Sequence, residues 1–338
     1  AWASASLEPR RIQNRYWSDL RAEPLVDSRF RHLTAADLVS KQLEELWNRV
    51  SGPGDRLALA VPGYMGTENL GLLLGIAMDL DIPVVAMVDA AVAATRRHYV
   101  NAVPVHVDLG LHSAVLTRLS QDGQVQFERG AVIDASGMLS LYDVWLRLIA
   151  ESFVQQSRFD PLHTAETEQV LRDSILDWLQ IAASQDSVPM NVVYRGISHD
   201  AEIESLQLVS AAEPVYRNIA SNLRALIRGG ETPAIQLSDR AARMPGLAET
   251  LKARVGGEIF LLEPGATARG LAARCPENRS GTAVTLVRHL PWDQSPVHVE
   301  ADHDHEGARP THVLLGNNAT SVDSSMLVLG THPDAGER

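Results

Sequence analysis

A single cysteine, Cys275, stands in the 338 residues of this sequence. One thiol makes no internal disulfide and, with no second thiol near it, no cysteine zinc site, so a reducing compartment is expected and the chain reads as cytoplasmic. No stretch approaches the ~20 uninterrupted apolar residues of a membrane span, and the start has no apolar signal core. Positive charge is also scarce, with 30 Lys and Arg against 42 Asp and Glu and a formal charge of −12. That balance repels polyanions, so neither nucleic acid nor membrane is an expected partner. Missing too are a short-period repeat, a Walker-type phosphate loop and a dinucleotide glycine fingerprint.

What is present is ordinary for a globular chain: 45% hydrophobic and 21% charged residues, with length for about two domains. Arg10, Arg11, Arg15, Arg21, Arg29 and Arg31 cluster near the start and read as a solvated, salt-bridged face. The alternating tract around His303 and His305 with Asp302, Asp304 and Glu306 reads as a polar loop rather than a metal site.

Leu38, Leu43, Leu46, Trp47 and Val50 have helical spacing behind a Thr34/Asp37 capping box, and Ser51-Gly52-Pro53-Gly54 stops the pattern. The apolar run 56–61 predicts a buried strand, 67–80 a helix, 83–88 a second buried strand and 90–94 the opening of a helix. The style then changes. Runs at 103–108, 113–119 and 125–133 predict an antiparallel meander. Helices are expected at 142–156 and 164–183, a strand near 192–194, a helix at 214–228, a strand at 234–237, a helix after Pro245, a strand at 258–262 and a helix at 266–273. Further strands are expected at 283–287, 311–315 and 326–329. The fold class is α/β, with mixed sheets and flanking helices in a duplicated architecture.

The residues that carry chemistry sit at the turns. Asp108-Leu109-Gly110-Leu111-His112-Ser113 falls between the first two meander strands. An aspartate and a glycine there can bring backbone N–H groups and a hydroxyl to phosphate oxygens while the carboxylate holds magnesium through water. Val61-Pro62-Gly63-Tyr64-Met65 with its helix, the strand ending Val88-Asp89-Ala90-Ala91, and this turn follow one another in an order that resembles the ATPase domain of the seventy-kilodalton heat-shock chaperones. Leu237-Ser238-Asp239-Arg240-Ala241-Ala242-Arg243-Met244-Pro245 is similar to that family's adenosine motif, and 265–270 to the alanine-rich helix after it. The resemblance covers 1–274.

It implies an actin-like ATPase fold of duplicated ribonuclease H-like lobes: a first lobe at 1–104, a second at 105–282, and a strand-rich appendage or start of another domain at 283–338. It further implies ATP or ADP with magnesium between the lobes and weak phosphoanhydride hydrolysis. Asp89 and Asp108 would be catalytic, with Asp108 on the metal; Leu109, Gly110, His112, Ser113, Ser238, Asp239, Arg240 and Arg243 would contact the nucleotide with Asp108. The chain begins at Ala1, just past the position of the family's first phosphate hairpin, and is expected to be a piece lacking its first strands. Asp239 and Arg240 replace paired glycines that let backbone cover the adenosine. The competing expectation is a non-catalytic pseudo-ATPase scaffold with a protein partner.

Overall fold

The computed structural model describes residues 5–275 and 284–299, with the backbone alone of 312–315 and 318–321. The chain divides into two units, Ala1–Glu300 and Ala301–Arg338.

The first unit opens with irregular chain and a 3-10 turn, Ser28–Phe30, before helix α1 (Ala35–Val50). The Thr34/Asp37 capping box forms: the Asp37 N–H donates to Thr34 Oγ1 at 3.0 Å and the Thr34 N–H to Asp37 Oδ2 at 2.7 Å. Its buried stripe is Ala35, Val39 and Leu43, while Leu46 and Val50 are exposed. The helix shows only that narrow face to the core it shares with α2. Strand β1 (Leu57–Val61), helix α2 (Thr67–Asp79), strand β2 (Val84–Asp89) and helix α3 (Ala90–Ala94) follow, and β1 pairs with β2 in parallel. Apolar runs of this length, flanked by Pro and Gly, fit strands covered on both faces.

After the short β3 (Tyr99–Val100) comes the meander β4 (Val103–Leu109), β5 (Ser113–Ser120) and β6 (Val125–Asp134), antiparallel throughout. Helices α4 (Met138–Ser157) and α5 (Ala165–Ala182) pack against it. Trp145 of α4 is fully buried and its indole N–H donates to the Leu208 carbonyl at 2.8 Å, so the ring's burial leaves no donor unsatisfied.

A hairpin of β7 (Ser187–Tyr194) and β8 (Ile197–Glu204) comes next, where only a strand near 192–194 is expected from the sequence. Its two-residue loop, Arg195-Gly196, has φ of 51° and 77°, the pairing of positive angles that matches strand twist in a type I′ turn. Helix α6 (Ser205–Leu226) begins well before the expected 214 and carries Pro214 inside it. Its N-terminus is set instead by Glu204, whose backbone N–H donates to Gln207 Oε1 at 3.1 Å.

Strand β9 (Pro233–Leu237), helices α7 (Asp239–Ala242) and α8 (Leu247–Val255), strand β10 (Glu258–Leu261) and helix α9 (Ala266–Ala273) follow. Then come the short β11 (Leu286–Val287), β12 (His289–Leu290) and β13 (Val297–His298). The order β10-β9-β4-β5-β6-β12 makes one six-stranded mixed sheet, parallel from β4 through β9 to β10 and antiparallel on the other side. A second sheet, β1-β2-β11, is parallel. Residues 286–290 thus give one strand to each sheet. The architecture is α/β with mixed sheets and flanking helices.

Alternation along β4 divides its side chains. Val105, Val107 and Leu109 enter the core formed with α4, α5 and α6, which leaves His106 and Asp108 on the opposite face. On that face α3 and Leu271 of α9 pack with Leu119 and Val125 in a core shared with β2. In the second unit, β14 (His312–Leu315) and β15 (Asn318–Ser321) pair antiparallel. The expected strand at 326–329 and the tract around His303 lie outside the described residues.

Candidate functional site

The end of the six-stranded sheet gathers most of the residues singled out from sequence. Strand β4 delivers Asp108 and Leu109, and the tight turn closes when the Gly110 N–H donates to the Ser113 carbonyl at 2.9 Å. The first turn of α4 braces this loop: the Met138 N–H donates to the Gly110 carbonyl and the Leu139 N–H to that of Leu111, each at 3.0 Å. Gly137 makes the approach feasible, since a Cβ there would lie 2.5 Å from the His112 carbonyl carbon and the Ser113 nitrogen. Two of the N–H groups that a helix start leaves over are therefore occupied by the loop's own carbonyls. His112 turns away from the sheet end, its Nε2 3.2 Å from the Asn14 carbonyl oxygen.

Strand β9 runs parallel to β4 and delivers the second element. The Ser238 N–H donates to the Val107 carbonyl at 2.9 Å, and Ser238 Oγ caps α7 by accepting from the Ala241 N–H at 3.3 Å. This places Arg240 opposite Asp108. Arg240 Nη2 donates to Asp108 Oδ1 at 2.9 Å and to Oδ2 at 2.7 Å. The Asp108 side chain is 20% exposed and that of Arg240 49%, so an interior carboxylate is held by a half-solvated cation. Burial pushes the Asp108 carboxyl up, but Arg240, His106 and a side-chain hydrogen bond from Ser238 outweigh it and hold it below its usual range. Asp239 is taken up locally, 3.5 Å from Arg243 one turn on.

Asp89 occupies a different place, at the end of β2 in the parallel sheet. Its Oδ1 accepts from the N–H groups of Ala91 at 2.9 Å and Val92 at 3.2 Å, which makes it the N-cap of α3. Burial raises its pKa, against the Val92 and Ala91 N–H groups and the charge of Arg288.

Two further residues belong to the site and were not singled out from sequence. Tyr64, just after β1, sits where Arg240 and Asp108 act on its hydroxyl in opposite senses while burial raises it. His106, two residues before Asp108 on the same face of β4, is 3% exposed, and its Nε2 has no hydrogen-bond partner among the described residues. Burial lowers its pKa, so the imidazole stays neutral; Asp108 acts against that shift and Arg240 with it. The strand's period of two was the signal for His106, because it puts every second residue beside Asp108.

The donor set does not suit a magnesium ion. No group of three or more His, Cys, Asp and Glu able to hold a metal occurs among the described residues. The carboxylate at the turn is engaged by a guanidinium, a cation that competes for the same oxygens. No protein-family model matches the chain, and no curated protein matches it. Among the described residues no helix is long and apolar enough to cross a membrane.

Proposed function

We propose that the chain is a non-catalytic, actin-like scaffold, a pseudo-ATPase relative of the chaperone ATPase domains that works by binding a protein partner. The strand order supports the fold half of this reading. A meander extended at its first strand by two parallel strands, with helices on its faces, joins the motifs at 108–113 and 237–245 at one sheet end, as the resemblance implies. The observation that carries the functional half is the Arg240–Asp108 ion pair. Catalysis of phosphoryl transfer is almost entirely electrostatic positioning around a metal-bound polyphosphate. Here a side chain supplies the positive charge from within, at a position where the family has glycine. Asp89 is engaged as a helix cap, and the N-terminal donors of α4 are engaged by the turn.

Isothermal titration of magnesium-ATP is the test. No heat at millimolar nucleotide is expected for the wild type, and micromolar binding abolished by Asp108→Ala would overturn the reading. One observation favours nucleotide binding as the second reading: Arg240 is half-exposed and free to swing out. On that reading ATP or ADP with magnesium displaces it from Asp108, and Arg240→Gly binds nucleotide more tightly than the wild type.

A further inference from the structure

Away from the Asp108 site, the irregular chain before α1 builds a second feature. Residues 24–34 close into a loop: the Leu25 N–H donates to the Leu33 carbonyl at 2.9 Å, the Phe30 N–H to that of Asp27 at 2.9 Å, and Pro24 bridges Thr34. The preceding stretch is fastened to α1, where Gln42 Oε1 accepts from the Tyr16 hydroxyl at 2.9 Å and the Trp17 indole N–H at 2.6 Å. Between loop, stretch and helix lies a cavity of about 430 Å³ lined by Ile12, Tyr16, Leu25, Phe30, Leu33 and Leu38. Val26, on the same loop, is 84% exposed. The pocket is thus pre-formed and apolar, and its walls are held by hydrogen bonds rather than by an occupant.

Its surroundings carry the opposite charge to the rest of the chain. Residues 1–34 hold six arginines against four acids, a surplus of two, while the chain as a whole carries −12. Arg29 pairs with Asp27. Arg10, Arg15, Arg21 and Arg31 are exposed and form no ion pair among the described residues, although most other arginines of the fold are paired. Arg15 adjoins Tyr16 and Arg31 adjoins Phe30, so these unpaired cations stand beside lining side chains. The sequence reading of this cluster as salt-bridged therefore holds for Arg29 and not for these four.

We infer that this groove docks an acidic peptide segment of a partner protein, with an apolar side chain in the cavity and carboxylates on Arg10, Arg15, Arg21 and Arg31. A pre-formed apolar pocket ringed by cations fits an anchor residue flanked by acids. A phosphate backbone has no group for the Ile12–Phe30–Leu38 lining, and the rest of the chain repels it. The inference rests on the scaffold reading in that it supplies the partner, but the two fail separately, because nucleotide titration does not probe this groove.

The test is fluorescence anisotropy on the full chain with a labelled peptide, Asp-Glu-Phe-Asp-Asp-Leu-Leu-Glu-Asp, against three controls: polyglutamate, the same peptide with lysine for every acid, and single-stranded oligothymidylate. Micromolar binding of the first probe alone is expected. It should weaken about tenfold in the Arg15→Glu, Arg31→Glu double variant and again in Phe30→Ala, with thermal melting unchanged. Absence of binding, equal binding of polyglutamate, tighter binding of the oligonucleotide, or indifference to all these substitutions would each overturn the assignment.

Discussion

Arg274 on α9 reaches across to α3, its Nη1 2.9 Å from the Thr95 carbonyl oxygen. The same guanidinium donates to the carbonyls of Val92, Ala93 and, through Nε, Gly270. Helix α3 has only five residues, so its last carbonyls find no N–H of their own helix. Buried Arg274 satisfies them. Arg274→Leu strands several buried acceptors and should cost about 3 kcal/mol, read as a lower urea midpoint with an unchanged slope. Arg274→Lys should recover part of that loss, since an ammonium reaches fewer carbonyls at once.

Gly137→Ala should destabilise by a similar amount, about 3 kcal/mol, because the added methyl would stand 2.5 Å from backbone atoms of His112 and Ser113. Backbone cannot rotate aside as a side chain does. Amide exchange at Gly110, Met138 and Leu139 should accelerate in the variant, which separates local loss of the brace from global unfolding.

Arg240→Ala should change how stability depends on acidity. In the wild type the folded pKa of Asp108 lies below its ordinary value of 3.8; the resulting stability is present above that value and is lost as pH falls through the folded pKa. Without Arg240, burial dominates and the folded pKa rises. The carboxyl then favours the folded state only while protonated, and stability declines as pH climbs through the new value. The gap in melting temperature between the two proteins should therefore widen from about pH 3 to about pH 6. A gap that stays constant with pH would show that the ion pair carries no such energy.

His106→Leu should blunt acid sensitivity. The folded pKa of His106 is lowered from 6.5 by burial, so its contribution is present above that value and drains away as pH falls toward the folded pKa. Between about pH 7 and pH 5 the wild type should lose more stability than the leucine variant, measured by chemical denaturation at each pH.

Much of the first unit is legible in the order of its residues. The buried strands β1 and β2, the meander and the cap at Thr34 announce themselves through apolar runs, alternation and local hydrogen-bonding chemistry. Helix α6 and strand β8 are harder, each for its own reason. Pro214 reads as a start because proline lacks an N–H, yet the helix tolerates it mid-course. Strand β8 exposes Ser198, Asp200 and Glu202 and turns only a few side chains inward, so it resembles a polar loop. At the site, Asp108 and Ser238 are visible as turn residues. That Arg240 closes on Asp108 depends on β4 and β9 being neighbours in one sheet, a pairing between residues 132 positions apart that no local pattern encodes.

Residues 286–290 finally bear on mechanics. Leu286 and Val287 ride alongside β2, and two residues later His289 and Leu290 ride alongside β6, with Arg288 between them stacked on the Phe127 ring at 4.9 Å. A single taut length of backbone is thereby stitched to both sheets. Neither can rotate against the other without tearing one of the two seams. The Asp108 end of the structure sits in a frame that resists opening, more like a riveted joint than a hinge.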